Sequence, residues 1–225
     1  MIVTIDGPAG AGKSTIARQL ADTLGFHFLD TGAMYRAITL GAIRKQIDFD
    51  DKEQLISYAR NSTIDWHNDR ILLNDGDVTQ EIRSPVVTDS IKYVADVKEI
   101  REALSEQQRR IAQTQNIVTE GRDQGTDVFP NAGCKIFLTA SPAERAQRRH
   151  QQLAELGRPI PVEQILEAQN RRDAEDRQRP QGALRPAEDA VIIHSDGLTF
   201  EAVVQKILII FQEKKKKQQA QAYQQ

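Results

Sequence analysis

The chain has 225 residues, with 30 Lys and Arg against 32 Asp and Glu and a net charge of −2. That length allows one sizeable α/β core with small inserts, and the balanced charge argues against a dedicated nucleic-acid binder. The one cysteine, Cys134, excludes an internal disulfide and suits the cytoplasm; no apolar run is long enough to span a membrane, and no secretory leader is expected.

The first element is Ile2-Val3-Thr4-Ile5, a β-branched run that reads as a buried strand. Gly7-Pro8-Ala9-Gly10-Ala11-Gly12-Lys13-Ser14 follows and fits the P-loop pattern G-x-x-x-x-G-K-[ST] at every fixed position. From Ser14-Thr15 onward the apolar residues fall at helical spacing, and Gly25 is the stop. Strand, glycine loop and helix start together form a phosphate cradle, because loop N–H groups and the helix dipole both point at the anion. The bland alternative is a glycine-rich turn without a ligand.

Beyond it, strands are predicted at 2–6, 26–29, 116–120, 135–139 and 190–194. Helices are predicted at about 13–24, 32–45, 52–60, 97–114, 142–156, 162–177 and 199–213. This alternation predicts an α/β fold with a parallel sheet covered by helices on both faces. Residues 63–83 break the pattern. Ile64 and Trp66 alternate before Asn68-Asp69, and Ile71 and Leu73 alternate before the turn Asn74-Asp75-Gly76, which predicts an inserted β-meander. Gly157-Arg158-Pro159-Ile160-Pro161 separates two charged helices as a mobile tip. From Lys214 on, the chain reads as a frayed helix end or a disordered tail.

Arginines are the second signal. Arg36 follows Asp30-Thr31-Gly32-Ala33-Met34-Tyr35, and Arg122 and Asp123 lie just past the strand Ile117-Val118-Thr119. Ligands of open α/β sheets bind outside the carboxyl ends of strands. Arg145, Arg148 and Arg149 share one helix, and Arg171, Arg172, Arg177 and Arg179 another. Guanidinium forks suit phosphate oxygens; solvated helix faces paired with Glu and Asp are the alternative.

The segments GPAGAGKST, LDTGAMYR (29–36), IREAL (100–104), EGRDQGT (120–126), KIFLTAS-x-x-ERAQRR (135–149) and RRDAEDRQR (171–179) resemble the bacterial-type cytidylate kinases, from Ile2 to about Phe211. The P-loop is the least specific piece; DTGAMYR and GRDQGT, in this order and spacing, are far more so. The resemblance implies transfer of the γ-phosphoryl of ATP, with Mg²⁺, to CMP or dCMP in pyrimidine nucleotide metabolism, by a cytoplasmic monomer with no nucleic-acid or membrane partner. It implies a single P-loop kinase domain. The core would cover about 1–60, 97–147 and 170–213, an NMP-binding insert about 61–96, and a small helical lid about 148–169, with 214–225 as a disordered tail.

The resemblance also assigns roles. Gly7, Pro8, Ala9, Gly10, Ala11, Gly12, Lys13, Ser14 and Thr15 would bind ATP, and Ser14 and Glu120 would meet Mg²⁺. Arg36 and Arg122, with Arg179 nearby, would hold the acceptor phosphate. Thr31, Arg101 and Asp123 would meet the cytosine. An ionised Asp123 accepts only, so it suits the N4 amino group and repels the O4 of uracil. Asp176 with Arg172 would hold the ribose. Lys13, Arg122, Arg145 and Arg149 would serve catalysis, the last two closing over the phosphates. Other readings stay open: Asp123 as a helix cap or the ion-pair partner of Arg122, Thr31 as the cap of the 32–45 helix, Asp173 and Asp176 as ordinary ion-pair partners. One departure is Lys92, where the family usually carries a base-contacting serine. Either Lys92 points away or the local alignment slips. A different small-molecule kinase is the nearest rival; a switch GTPase lacks support, since no N-K-x-D occurs.

Overall fold

Ile2–Asp6 forms strand β1 at the centre of the main sheet, as its β-branched run predicts. The structure is a computed structural model that describes residues 1–67, 70–155 and 157–222. The other strands of this sheet are β2 (His27–Asp30), β6 (Ile117–Gly121), β7 (Cys134–Thr139) and β8 (Val191–His194). Their order is β2-β6-β1-β7-β8, with β1 parallel to both β6 and β7, and β7 parallel to β8. Each predicted strand is within about a residue of its observed bounds.

Two compact units make up the chain, Met1–Leu29 with Thr114–Gln225, and Asp30–Gln113. The first holds the sheet. Its helix α1 (Lys13–Leu24) buries Ile16, Ala17, Leu20 and Ala21 and ends at Gly25. The long helix α8 (Phe200–Ala222) brings Val203, Val204, Ile207 and Phe211 to the core that Val3, Ile5, Val118, Ile136, Leu138 and Ile193 build. Sequence alone ends the regular pattern at 213; the helix continues to Ala222, because Lys, Gln and Ala favour helix even without an apolar face. Helices α6 (Pro142–Glu155) and α7 (Val162–Gln178) flank the Gly157–Pro161 break. Leu156, assigned to the first of them from sequence, lies outside the described residues.

In the second unit, α2 (Thr31–Arg44) and α3 (Lys52–Asn61) precede an antiparallel sheet of β3 (Ile64–His67), β4 (Arg70–Leu73) and β5 (Gly76–Asp77). Ile64 pairs with Leu73 and Trp66 with Ile71, so the expected alternation sets the register. Asn74 and Asp75 both take positive φ, as a tight hairpin turn requires. The expected Asn68-Asp69 turn lies outside the described residues. Helix α4 (Pro85–Ala95) has no counterpart among the predicted elements. It is rich in Val, Ile and Thr, which weaken the helical signal, while Pro85 in its first turn favours it. Helix α5 (Lys98–Thr114) buries Ile100, Arg101, Leu104 and Gln108. Besides residues 61–96, the unit takes in α2, α3 and nearly all of α5.

Candidate active site

The glycine loop is shaped by close approach. A Cβ on Gly7 would stand 1.9 Å from the carbonyl oxygen of Leu138, so the loop crosses β7 only as glycine. Helix α1 starts at Lys13 with no side-chain cap and no acid in its first turn, which leaves its positive end suited to an anion. Lys13 is buried, and its Nζ donates to the carbonyl of Pro8 at 2.9 Å. Burial, and next the positive charge of Arg122, bring its pKa down to about 7. A lysine held this way gains strongly from an arriving polyphosphate. Ser14 Oγ donates to Glu120 Oε1 at 2.9 Å, so two hard oxygen groups converge beside the loop. That donor set fits Mg²⁺, which takes one or two protein ligands and completes its shell with phosphate and water.

Past β6, Arg122 Nε donates to Asp176 Oδ2 at 2.7 Å, and Arg179 Nη2 donates to Asp176 Oδ1 at 2.8 Å. Burial opposes the charge on Asp176, yet Arg122 and Arg179 hold its carboxyl below the usual value. Burial likewise opposes the charge on Arg122, but Asp176 and Glu120 keep it firmly protonated. The charge of Arg172 acts on both Lys13 and Asp176. Lys13, Glu120, Arg122, Arg172, Asp176 and Arg179 thus share one electrostatic neighbourhood in the first unit. Asp176 serves there as a brace between two arginines.

Arg145 differs from a side chain poised to swing. It is buried on α6, with Nη1 donating to the carbonyl of Ala9 at 2.6 Å and Nε to that of Ala140 at 3.2 Å. Its Nη1 also lies 2.8 Å from Asp173 Oδ2, an ion contact whose hydrogen bond goes to Ala9 instead. Asp173 Oδ1 accepts from the Ala9 N–H at 3.1 Å. One buried ion pair therefore brackets the Ala9 peptide from both sides. Arg149 is exposed, with Nη1 donating to Gln152 Oε1 at 2.6 Å.

Asp123 is buried, and its side chain makes no capping bond to the single π-helical turn Gln124–Val128. The cap reading of Asp123 falls away, and the ion pair Arg122 makes at 2.7 Å is with Asp176.

The second unit holds the remaining candidates. Asp30 caps α2, accepting from the Ala33 N–H at 2.8 Å, so Thr31 is not the cap but the first, buried residue of the helix. Arg36 lies back over that turn: a Cβ on Gly32 would stand 3.2 Å from Arg36 Nη1 and 3.4 Å from Asp30 Oδ1. Arg101 is buried on α5, donates from Nη1 to the Ala95 carbonyl at 3.0 Å, and sits 5.4 Å from the centre of the Tyr35 ring. Lys92 is exposed on α4 with its Nζ 5.1 Å from the Tyr93 ring centre.

Sequence reasoning passed over Asp6, Gln169 and the contact of Asp173 with the P-loop. For the last two a signal existed. The buried residues of α7 are Ile165, Gln169, Asp173 and Asp176, a helical stripe in which three members are polar. Polar groups at core spacing face a site more often than a core. Gln169 does so here: a Cβ on Gly10 would stand 2.6 Å from its Nε2.

Against known proteins, the profile of the family described as cytidylate kinase matches residues 3–213. A protein named cytidylate kinase from Rhodopirellula baltica is 57% identical over 213 residues, covering 95% of this chain and 93% of that one. Another of the same name from Caldanaerobacter subterraneus subsp. tengcongensis is 45% identical over 205 residues, covering 91% and 92%. Among solved structures, a gluconokinase from Sinorhizobium meliloti aligns with TM-score 0.50 at 18% identity, covering 97% of this chain and 95% of that one. At that identity the likeness speaks for the fold alone.

Proposed function

The chain belongs to the cytidylate kinase family and transfers a phosphoryl group from ATP to CMP, and from that premise we propose how its residues divide the work. Residues 7–15 cradle the ATP phosphates with backbone N–H groups, and Lys13 neutralises charge at the transferring group. Ser14 and Glu120 are the residues that would hold Mg²⁺. When bound, the ion neutralises charge on the phosphate oxygens. Arg122 and Arg179, set by Asp176, hold the acceptor phosphate, and Arg36 is a further phosphate ligand. Asp123, Thr31 and Arg101 read the cytosine, and Arg172 with Asp176 meets the ribose. Of the two helix arginines expected to close over the phosphates, Arg149 keeps that role. Arg145 works through the Ala9 peptide.

No general base is needed, because the CMP phosphate is already an anionic nucleophile. The transition state spreads charge over the equatorial oxygens, so in-line positioning and cationic neighbours carry the catalysis. The single observation that supports this division is the arginine pair braced by Asp176 in the same unit as Lys13 and the P-loop. Such a unit offers cationic ligands for two phosphate chains. The same reading makes dCMP a substrate, and the enzyme a cytoplasmic monomer. No described helix is long and apolar enough to cross a membrane.

The test is ADP release with Mg-ATP and each of CMP, dCMP, UMP, AMP, GMP and shikimate. CMP and dCMP are expected to be turned over with much the highest kcat/KM. A panel led by AMP or UMP would overturn the base-reading roles.

A further inference from the structure

Asp6 is the last residue of β1, opposite Gly121 on β6 and Phe137 on β7, at the carboxyl end of the central strand. It is 4% exposed. Its two oxygens are both engaged, Oδ1 accepting from the Gln124 N–H at 2.8 Å and Oδ2 from the Gly125 N–H at 2.7 Å. Burial raises the pKa of Asp6 to about 7, although the two backbone hydrogen bonds and the charge of Lys13 work to lower it, so the carboxyl group sits here at a desolvation cost that an apolar side chain would avoid. The two N–H groups open the turn Gln124–Val128, directly after Arg122 and Asp123.

Two further contacts pin the same turn. Thr119 Oγ1 donates to Gln124 Oε1 at 2.9 Å, tying the turn to β6. Gly125 lies so close to β1 that a Cβ there would stand 2.9 Å from Thr4 Oγ1 and 3.3 Å from Asp6 Oδ2. The carbonyl of Asp123 in turn accepts from the N–H groups of Asp127 at 2.9 Å and Val128 at 3.2 Å. The backbone of this turn therefore takes part in positioning Asp123. Arg122 has a second anchor for its guanidinium in Asp176.

We propose that Asp6 is a positioning residue for base selection: its carboxylate fixes the Gln124–Gly125 backbone and so sets where Asp123 stands. This rests on the reading of Asp123 as the group that meets the cytosine amino group. It makes a distinctive prediction, because a loosened turn displaces Asp123 while Asp176 still holds Arg122. Base discrimination is lost before phosphate binding is.

The experiment compares Asp6→Asn and Gly125→Ala with wild type, measuring kcat/KM for CMP and for UMP together with Tm. Asparagine keeps the shape but turns an NH₂ donor against one of the two backbone donors. Alanine at 125 leaves the Asp6 carboxylate intact and pushes the same turn off β1. Loss of about one hydrogen bond's worth of positioning corresponds to a roughly fivefold fall in the CMP/UMP ratio, expected in both variants. A purely structural Asp6, or one that acts only as a counter-charge to Lys13, lowers Tm or slows CMP and UMP alike. An unchanged ratio in the folded variants overturns the proposal. If Asp6→Asn does not fold, Gly125→Ala decides alone. A wild type with no preference for CMP over UMP overturns the reading of Asp123 and the proposal with it, whereas a selective wild type with equally selective variants overturns the proposal only.

Discussion

Arg122 and Asp176 meet through a hydrogen bond of 2.7 Å from Nε, a geometry that leaves the terminal nitrogens of Arg122 directed elsewhere. Nη1 turns toward the Gly121 carbonyl at 3.4 Å, a weak partner that a phosphate oxygen would displace. Asp176 makes a second bond to Arg179, so one carboxylate orders two cations that would otherwise repel each other.

The first expected outcome concerns Asp176→Asn and its dependence on pH. Arg122 and Arg179 hold the folded-state pKa of Asp176 below its ordinary 3.8 in spite of burial. The folded protein therefore binds fewer protons here than the unfolded chain, and the contribution to stability is fully present above the unfolded value. It is lost as pH falls through the folded one. At neutral pH the variant should lose about 1–3 kcal/mol and show a raised KM for CMP, since the arginines lose their charged brace. The gap in Tm between wild type and variant should narrow as the pH falls below the ordinary carboxyl value of 3.8. Thermal melts in which the gap is as wide in acid as at neutral pH would exclude this account.

The second concerns Arg145 and Arg149, neighbours on one helix with different expected behaviour. Arg145 and Asp173 form an ion pair whose side chains are 3% and 2% exposed. Removing one partner leaves the other as an uncompensated buried charge, so Arg145→Ala should lose about 3–5 kcal/mol, or roughly 10 °C in Tm for a chain of this size. Arg149→Ala should leave Tm almost unchanged and lower kcat. Melting curves and steady-state kinetics on both variants decide. A full-stability Arg145→Ala with lowered kcat would make Arg145 a mobile phosphate ligand instead.

The contrast between those two arginines shows where the sequence stops being informative. Periodicity and the glycine pattern were enough for β1, the P-loop and α1, because there the local signal and the tertiary environment agree. The same holds for the register of the meander, where Ile64, Ile71 and Leu73 alternate into a buried face. Helix α4 escaped because Val86, Val87, Thr88 and Ile91 carry weak helical propensity, and its stability comes from packing. Arg145 and Arg149 carry identical side chains four residues apart, and only tertiary contact separates a buried clamp from an exposed one. Asp6 lay one residue ahead of a motif that begins at Gly7, and its partners are backbone N–H groups 118 and 119 residues away. No local pattern encodes a contact of that span. Asp30 in place of Thr31 as the cap of α2 is a smaller case: both residue types cap helices, and only the observed start of the helix chooses between them.

The last expected outcome separates base reading from phosphate clamping. Asp123 is buried in the unit that holds the P-loop, and its side chain makes no capping bond to the turn that follows it. As a carboxylate it accepts a hydrogen bond from the cytosine N4 amino group and repels the uracil O4. Asp123→Asn removes the repulsion, and the amide can turn its NH₂ toward that O4. The variant should therefore accept UMP more readily while its hold on the phosphate is little changed. A fall in the CMP/UMP ratio of kcat/KM of about tenfold corresponds to about 1.4 kcal/mol of lost discrimination. Arg122→Ala and Arg36→Ala remove contacts that are indifferent to the base, so KM should rise for CMP and UMP together and the ratio should hold. The measurement is that ratio in wild type and the three variants, with Tm recorded to confirm folding. An unchanged ratio in Asp123→Asn beside a shifted ratio in either arginine variant would reverse the assignment, leaving Asp123 a structural acid and placing base selection on the arginines.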